Sequence, residues 1–122
     1  MATWWCASFA VDVMMFWLES GMRNRQSQSV GASRMSERQI ENKLVAQAKK
    51  SGGLALKWTS PAFAGVPDRI VFHGQGRVTL VELKAPGKKP TPLQLRVHEL
   101  LRAHGMDVRV IDSMGGVDEL FA

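Results

Sequence analysis

Asp68 and Glu82 stand near the two ends of GVPDRIVFHGQGRVTLVELKAPG, residues 65–87, on stretches that otherwise read as buried strand. A carboxylate is costly to dehydrate without a partner. If RIVF and RVTLVELK pair around a three-residue loop, Gly74-Gln75-Gly76, then His73 faces Arg77, Val71 faces Thr79 and Asp68 faces Glu82. Directly opposed residues share a face, with Cβ atoms ~4.5–5.5 Å apart. Lys84 lies two residues beyond Glu82 and projects to the same side. The result is two carboxylates and an ammonium at the strand ends. A hard divalent cation would relieve the repulsion, and Mg²⁺ commonly uses one or two carboxylates together with substrate phosphate. A slip of one residue would send Asp68 and Glu82 to opposite faces. Taken singly, an Asp before a strand is an ordinary turn residue and E-x-K an ordinary surface ion pair. Their combination across a hairpin is what points to chemistry.

The elements that must hold these groups can be read from spacing. Ser36 opens S-x-x-Q with Gln39, a capping-box pattern, and Ile40, Leu44, Val45 and Ala48 follow at helical intervals. Gly52-Gly53 closes that helix. LALKW, residues 54–58, reads as a strand with Leu54, Leu56 and Trp58 on one face. TSPAFAGVP is loop. Thr91-Pro92 starts a second helix, with Pro92 at the first helical position. Leu93, Val97, Leu100, Leu101 and His104 line one side of it, and Gly105 ends it. VRVI is a fourth strand and GVDELF a short last helix. The order α-β-β-β-α-β, with a small mixed sheet, predicts an α+β fold.

The chain has 122 residues, a formal charge of +5 and a pI of about 9.9, which favours an anionic partner, nucleic acid before acidic membrane. Cys6 is the only cysteine, so no intrachain disulfide forms and a reducing, cytoplasmic location is expected. No Cys/His group has zinc spacing, and His73, His98 and His104 read as surface or strand-end residues. Residues 1–34 differ in composition from the rest. TWWCASFAVDVMMFWL is apolar but contains Asp12, is shorter than the ~20 residues of a membrane span, and lacks the basic start of a signal peptide. We read 1–34 as a dispensable extension ahead of a domain at 35–122. A peripheral membrane or partner-binding helix over residues 4–18, or an extra packed helix, are the other readings.

GVPDRIV followed by VELKAPGKKPTPLQ resembles the VRR-NUC family, a branch of the PD-(D/E)xK nucleases with a restriction-endonuclease-like core. The likeness runs over nearly all of residues 36–122. It implies that Asp68 is a metal-binding aspartate, that Glu82 and Lys84 are the E-x-K pair, that Gln94 is the glutamine marking the family, and that Glu41 is its helical glutamate. Gln94 also completes a T-x-x-Q box with Thr91, and Glu37 competes with Glu41.

The implied reaction is phosphodiester hydrolysis with Mg²⁺ or Mn²⁺. Asp68, Glu82 and the Leu83 carbonyl would hold the ion, and Lys84 would position water or stabilise developing charge. Gln94 would orient Lys84 or the water, and Glu41 would support a second ion or an outer contact. No small-molecule cofactor is expected. Lys88 and Lys89, then Lys57 and Arg69, with Lys49 and Lys50, are candidate phosphate contacts giving salt-dependent binding without sequence reading. Stand-alone members of the family imply a small phage or prophage protein that cuts branched DNA. The short domain also suggests a homodimer, which would suit four-way junctions. A flap-type or exonucleolytic enzyme and a non-catalytic binding module are the alternatives.

Overall fold

A computed structural model describes residues 34–122. The expected extension over residues 1–34, and the apolar run at 4–18 within it, lie outside the described residues except for Arg34. Helix α1 spans Glu37–Lys50. Its first turn is closed as the sequence predicts: Ser36 Oγ accepts from the Gln39 N–H at 3.3 Å, and Gln39 Oε1 accepts from the Ser36 N–H at 2.8 Å. Ile40, Leu44 and Ala48 form the buried stripe. The turn into β1, Leu54–Lys57, needs glycine for two reasons. Gly52 has φ +77°, and a Cβ on Gly53 would collide with the Phe72 carbonyl oxygen.

Strand β2 is Arg69–Phe72 and β3 is Val78–Leu83, joined by a single 3-10 turn at Gly74–Gly76 with Gln75 at φ 64°. Helix α2, Pro92–Ala103, crosses to β4, Asp107–Ile111, and α3, Met114–Leu120, follows. The sheet order is β1-β2-β3-β4, with two antiparallel pairs and one parallel pair. This is the expected small mixed sheet. The parallel β3–β4 pair requires the long crossover that α2 supplies.

One face of the sheet presents Ala55, Val71, Val81, Leu83 and Ile111 to Ile40, Leu44 and Ala48 of α1 and to Val117 and Leu120 of α3. Each of the valine, leucine and isoleucine side chains among them contributes roughly 1.5–3 kcal/mol by leaving water. Two sequence expectations need correction. On β1, Ala55 faces this core, while Leu56 is 45% exposed. On α2, Val97 and His98 are the buried residues, while Leu93 and Leu100 are exposed. Both faces of β1 and two sides of α2 carry apolar residues, so alternation alone does not choose the buried one. Among the described residues no helix is long and apolar enough to cross a membrane.

Candidate active site

The hairpin register decides where the carboxylates stand. Arg69 pairs with Val81, Ile70 with Leu80, Val71 with Thr79 and Phe72 with Val78. The His73 N–H donates to Arg77 O at 2.8 Å, continuing the same register around the turn. Carried one step the other way, this register sets Asp68 opposite Glu82, on the side of the sheet facing α2. Asp68 Oδ2 accepts from the Leu83 N–H at 2.9 Å, and the Trp58 N–H donates to Asp68 O at 2.9 Å. Asp68 is therefore fixed by strands on both sides. The preceding residues explain the GVPD sequence. Gly65 has φ +89° and lies against Val97 and Leu93 of α2, where a side chain would crowd both, and Pro67 is fully buried.

Glu82 is fully buried. Its Oε1 is gripped twice: Lys84 Nζ lies 2.6 Å away, and Gln94 Nε2 donates at 2.6 Å. Gln94 also completes the α2 cap, its Oε1 accepting from the Thr91 N–H at 2.9 Å. One amide thus starts the helix with its oxygen and holds the strand carboxylate with its nitrogen. The other oxygen, Glu82 Oε2, has no hydrogen-bond partner. Burial raises the Glu82 pKa, with Asp68 and Glu37 adding to the rise and Lys84 opposing it. Burial alone would lower Lys84. The hydrogen bond to Glu82 and the charges of Glu82, Asp68 and Glu37 outweigh it, so the ammonium stays charged.

The first helix divides its two glutamates. Glu41 Oε1 accepts from Arg69 Nη2 at 2.7 Å and Nε at 3.0 Å, a partly buried fork. The charge of Glu37 is the one felt at both Glu82 and Lys84. Arg69, a candidate phosphate contact, is therefore engaged by Glu41. Lys57, its cross-strand neighbour, is exposed, as are Lys88 and Lys89 in the loop after Lys84. Lys88 lines a groove of about 690 Å³ with Arg34, Met35, Ala85, Pro86 and Met114.

Sequence reasoning missed His98. It is fully buried, with Nε2 3.6 Å from Glu82 Oε2, and neither ring nitrogen has a hydrogen-bond partner. Burial, then the charges of Arg102 and Lys84, lower its pKa against a smaller opposing effect of Asp68, which disfavours the charged imidazolium. The available signal was its spacing of four from Gln94, which puts both on one side of a helix.

The arrangement fits a divalent ion on its own terms. A buried carboxylate oxygen without a partner is the kind of group that an ion satisfies. Among the described residues no three His, Cys, Asp or Glu side chains gather as a ready-made cage.

A small mixed sheet with a buried E-x-K, an aspartate locked across the hairpin and a glutamine reaching in from the crossover helix defines a PD-(D/E)xK-type nuclease core. The VRR-NUC domain family model matches residues 10–115. A protein of Acyrthosiphon pisum secondary endosymbiont phage 1 bearing the name "Putative nuclease p44" is 52% identical over 77 residues, covering 63% of this chain and 83% of that protein. A solved VRR-NUC domain superposes with a TM-score of 0.65 at 34% identity, covering 69% of this chain and 91% of that one. The chain belongs to the VRR-NUC family of nucleases, as its motifs indicate.

Proposed function

We propose that this protein is a metal-dependent DNA endonuclease that hydrolyses phosphodiester bonds in branched DNA. The observation that carries the reading is the state of Glu82: buried, held by Lys84 and Gln94 through one oxygen and unpartnered at the other. Bound Mg²⁺ or Mn²⁺ supplies a hydroxide-like nucleophile at neutral pH and charge relief at the scissile phosphate. Asp68, Glu82 and the Leu83 carbonyl would hold it. Lys84 keeps its proton and stands where negative charge develops or where the attacking water must be oriented. Gln94 fixes Glu82, and through it Lys84. Of the two helical glutamates, Glu37 is the better candidate for an outer contact or a second ion, because Glu41 is engaged by Arg69. Lys88 and Lys89, with Lys57, contact phosphate without reading bases.

The same reading includes a homodimer. Leu93 and Leu100 on α2 are about half exposed, and a second copy could cover them. Two sites related by a two-fold axis suit the paired nicks that a four-way junction requires. Cleavage of matched junction, flap and linear duplexes with Mg²⁺ or Mn²⁺ tests the substrate, and sedimentation tests the dimer. The junction should be cut fastest, with paired nicks in one binding event. Equal rates on all three would remove the branched-DNA part, and a monomer with and without DNA would remove the dimer.

A further inference from the structure

We infer that His98 is a positioning residue for Glu82, its Nε2–H aimed at the carboxylate oxygen that Lys84 and Gln94 leave open. The inference rests on the metal-site reading above and extends it to a residue outside the set formed by Asp68, Glu82, Lys84 and Gln94.

Three observations carry it. The first is proximity. His98 Nε2 and Glu82 Oε2 lie 3.6 Å apart, and both are fully buried atoms without a hydrogen-bond partner. The gap exceeds an ordinary hydrogen bond by about half an ångström, and contacts of this kind often tighten only in the working complex. The second is composition. A leucine or phenylalanine would fill the space beneath α2 without leaving two ring nitrogens unsatisfied. An imidazole held there at that cost asks for a polar role.

The third is geometry along α2. Gln94 and His98 are one turn apart; Gln94 bonds one oxygen of the carboxylate and His98 stands 3.6 Å from the other. A carboxylate oxygen can accept a hydrogen bond and still bind an ion through its second lone pair. With both oxygens directed, Glu82 has one orientation when the ion arrives. Partners that orient a ligating group in this way commonly matter about 10–100-fold for metal affinity. A neutral imidazole has one proton, and this role requires it on Nε2 rather than Nδ1.

Two measurements on the full chain test the inference. In metal-free protein labelled with ¹⁵N-histidine, the side-chain spectrum should show His98 as the neutral Nε2–H tautomer, assigned by its loss in His98→Gln. The Nδ1–H tautomer would overturn the inference whatever the metal does. Second, Mn²⁺ binding is followed by calorimetry and by the EPR signal of free Mn²⁺. His98→Phe, which keeps an aromatic ring but no polar nitrogen, should bind about 10–100-fold more weakly. His98→Gln, which keeps a donor, should stay within a few-fold of wild type. Melting temperatures show that each variant is folded. Wild-type Mn²⁺ affinity in folded His98→Phe would make His98 a packing residue and end the inference. If wild type bound no Mn²⁺, the metal reading would fall instead, and the tautomer would still judge His98.

Discussion

Asp68 accepts the backbone N–H of Leu83 through Oδ2 at 2.9 Å, so the entry to β2 is tied to the strand carrying Glu82 and Lys84. The carboxylate is both a structural acceptor and the predicted ligand, and the two roles separate by substitution. Asp68→Ala strands a part-buried N–H and should cost about 1–3 kcal/mol of stability. Asp68→Asn keeps an acceptor and should stay close to wild type in stability. Both should lose cleavage. Chemical denaturation with a nuclease assay checks this, and wild-type cleavage in Asp68→Asn would count against a ligand role.

Gln94 likewise serves two partners, and Thr91 shares only one of them. Thr91→Ala removes its half of the α2 cap, a loss of about 1 kcal/mol, with activity largely kept. Gln94→Ala should show a similar loss of stability and also slow cleavage, because Glu82 loses a grip at 2.6 Å. Equal activity in the two variants would mean that the amide acts only as a cap.

Much of this was legible in the sequence. A three-residue loop between two alternating strands fixes the register, and the register puts Asp68, Glu82 and Lys84 together. The T-x-x-Q pattern placed Gln94 at a helix start, so its reach to Glu82 needed only the crossover. His98 was legible only as a residue on the side of α2 that carries Gln94. A lone histidine amid apolar helix residues gives no sign of which neighbour lies beneath it, and that depends on how α2 sits on the sheet. The choice between Glu37 and Glu41 is open in the sequence for the same reason. Both are plausible from spacing, and only the fork from Arg69 to Glu41 separates them.

That fork predicts a coupling. Arg69→Ala and Glu41→Ala, alone and together, should give a coupling energy of about 1 kcal/mol, at the upper end for a pair still partly exposed. Glu41→Gln should retain most of its cleavage activity. A complete loss of cleavage in stable Glu41→Gln would restore Glu41 as the helical site residue.

Acid should weaken the fold in part through His73. Burial, then the charge of Arg77, lower its pKa below 6.5, against a smaller opposing effect of Asp107. Its Nε2 lies 3.1 Å from Thr79 Oγ1, which donates to Asp107 Oδ2 at 3.2 Å. Below pH 6.5 the unfolded chain binds this proton more readily than the folded one, so the stability present above 6.5 is lost as pH falls through the folded value. His73→Gln should flatten this part of the stability profile below pH 6.5. An unchanged slope would show that His73 titrates normally.

Lys84 should matter less than the carboxylates. Lys84→Ala should slow cleavage roughly 10²–10³-fold, the scale for removing one preorganised electrostatic group. It should also leave Glu82 more exposed to the charges of Asp68 and Glu37. Metal affinity and rate, measured together, check whether the rate falls more than binding does.

On the proposed reading, Glu82 would hold the divalent ion that phosphodiester cleavage requires. The direct measurement is cleavage of labelled DNA by wild type and Glu82→Gln, each with Mg²⁺ or Mn²⁺ and each with EDTA. Wild type should cut only with the ion, and folded Glu82→Gln should not cut under any condition. Cleavage by wild type in EDTA, or at the wild-type rate by Glu82→Gln, would rule out a metal-holding role for Glu82.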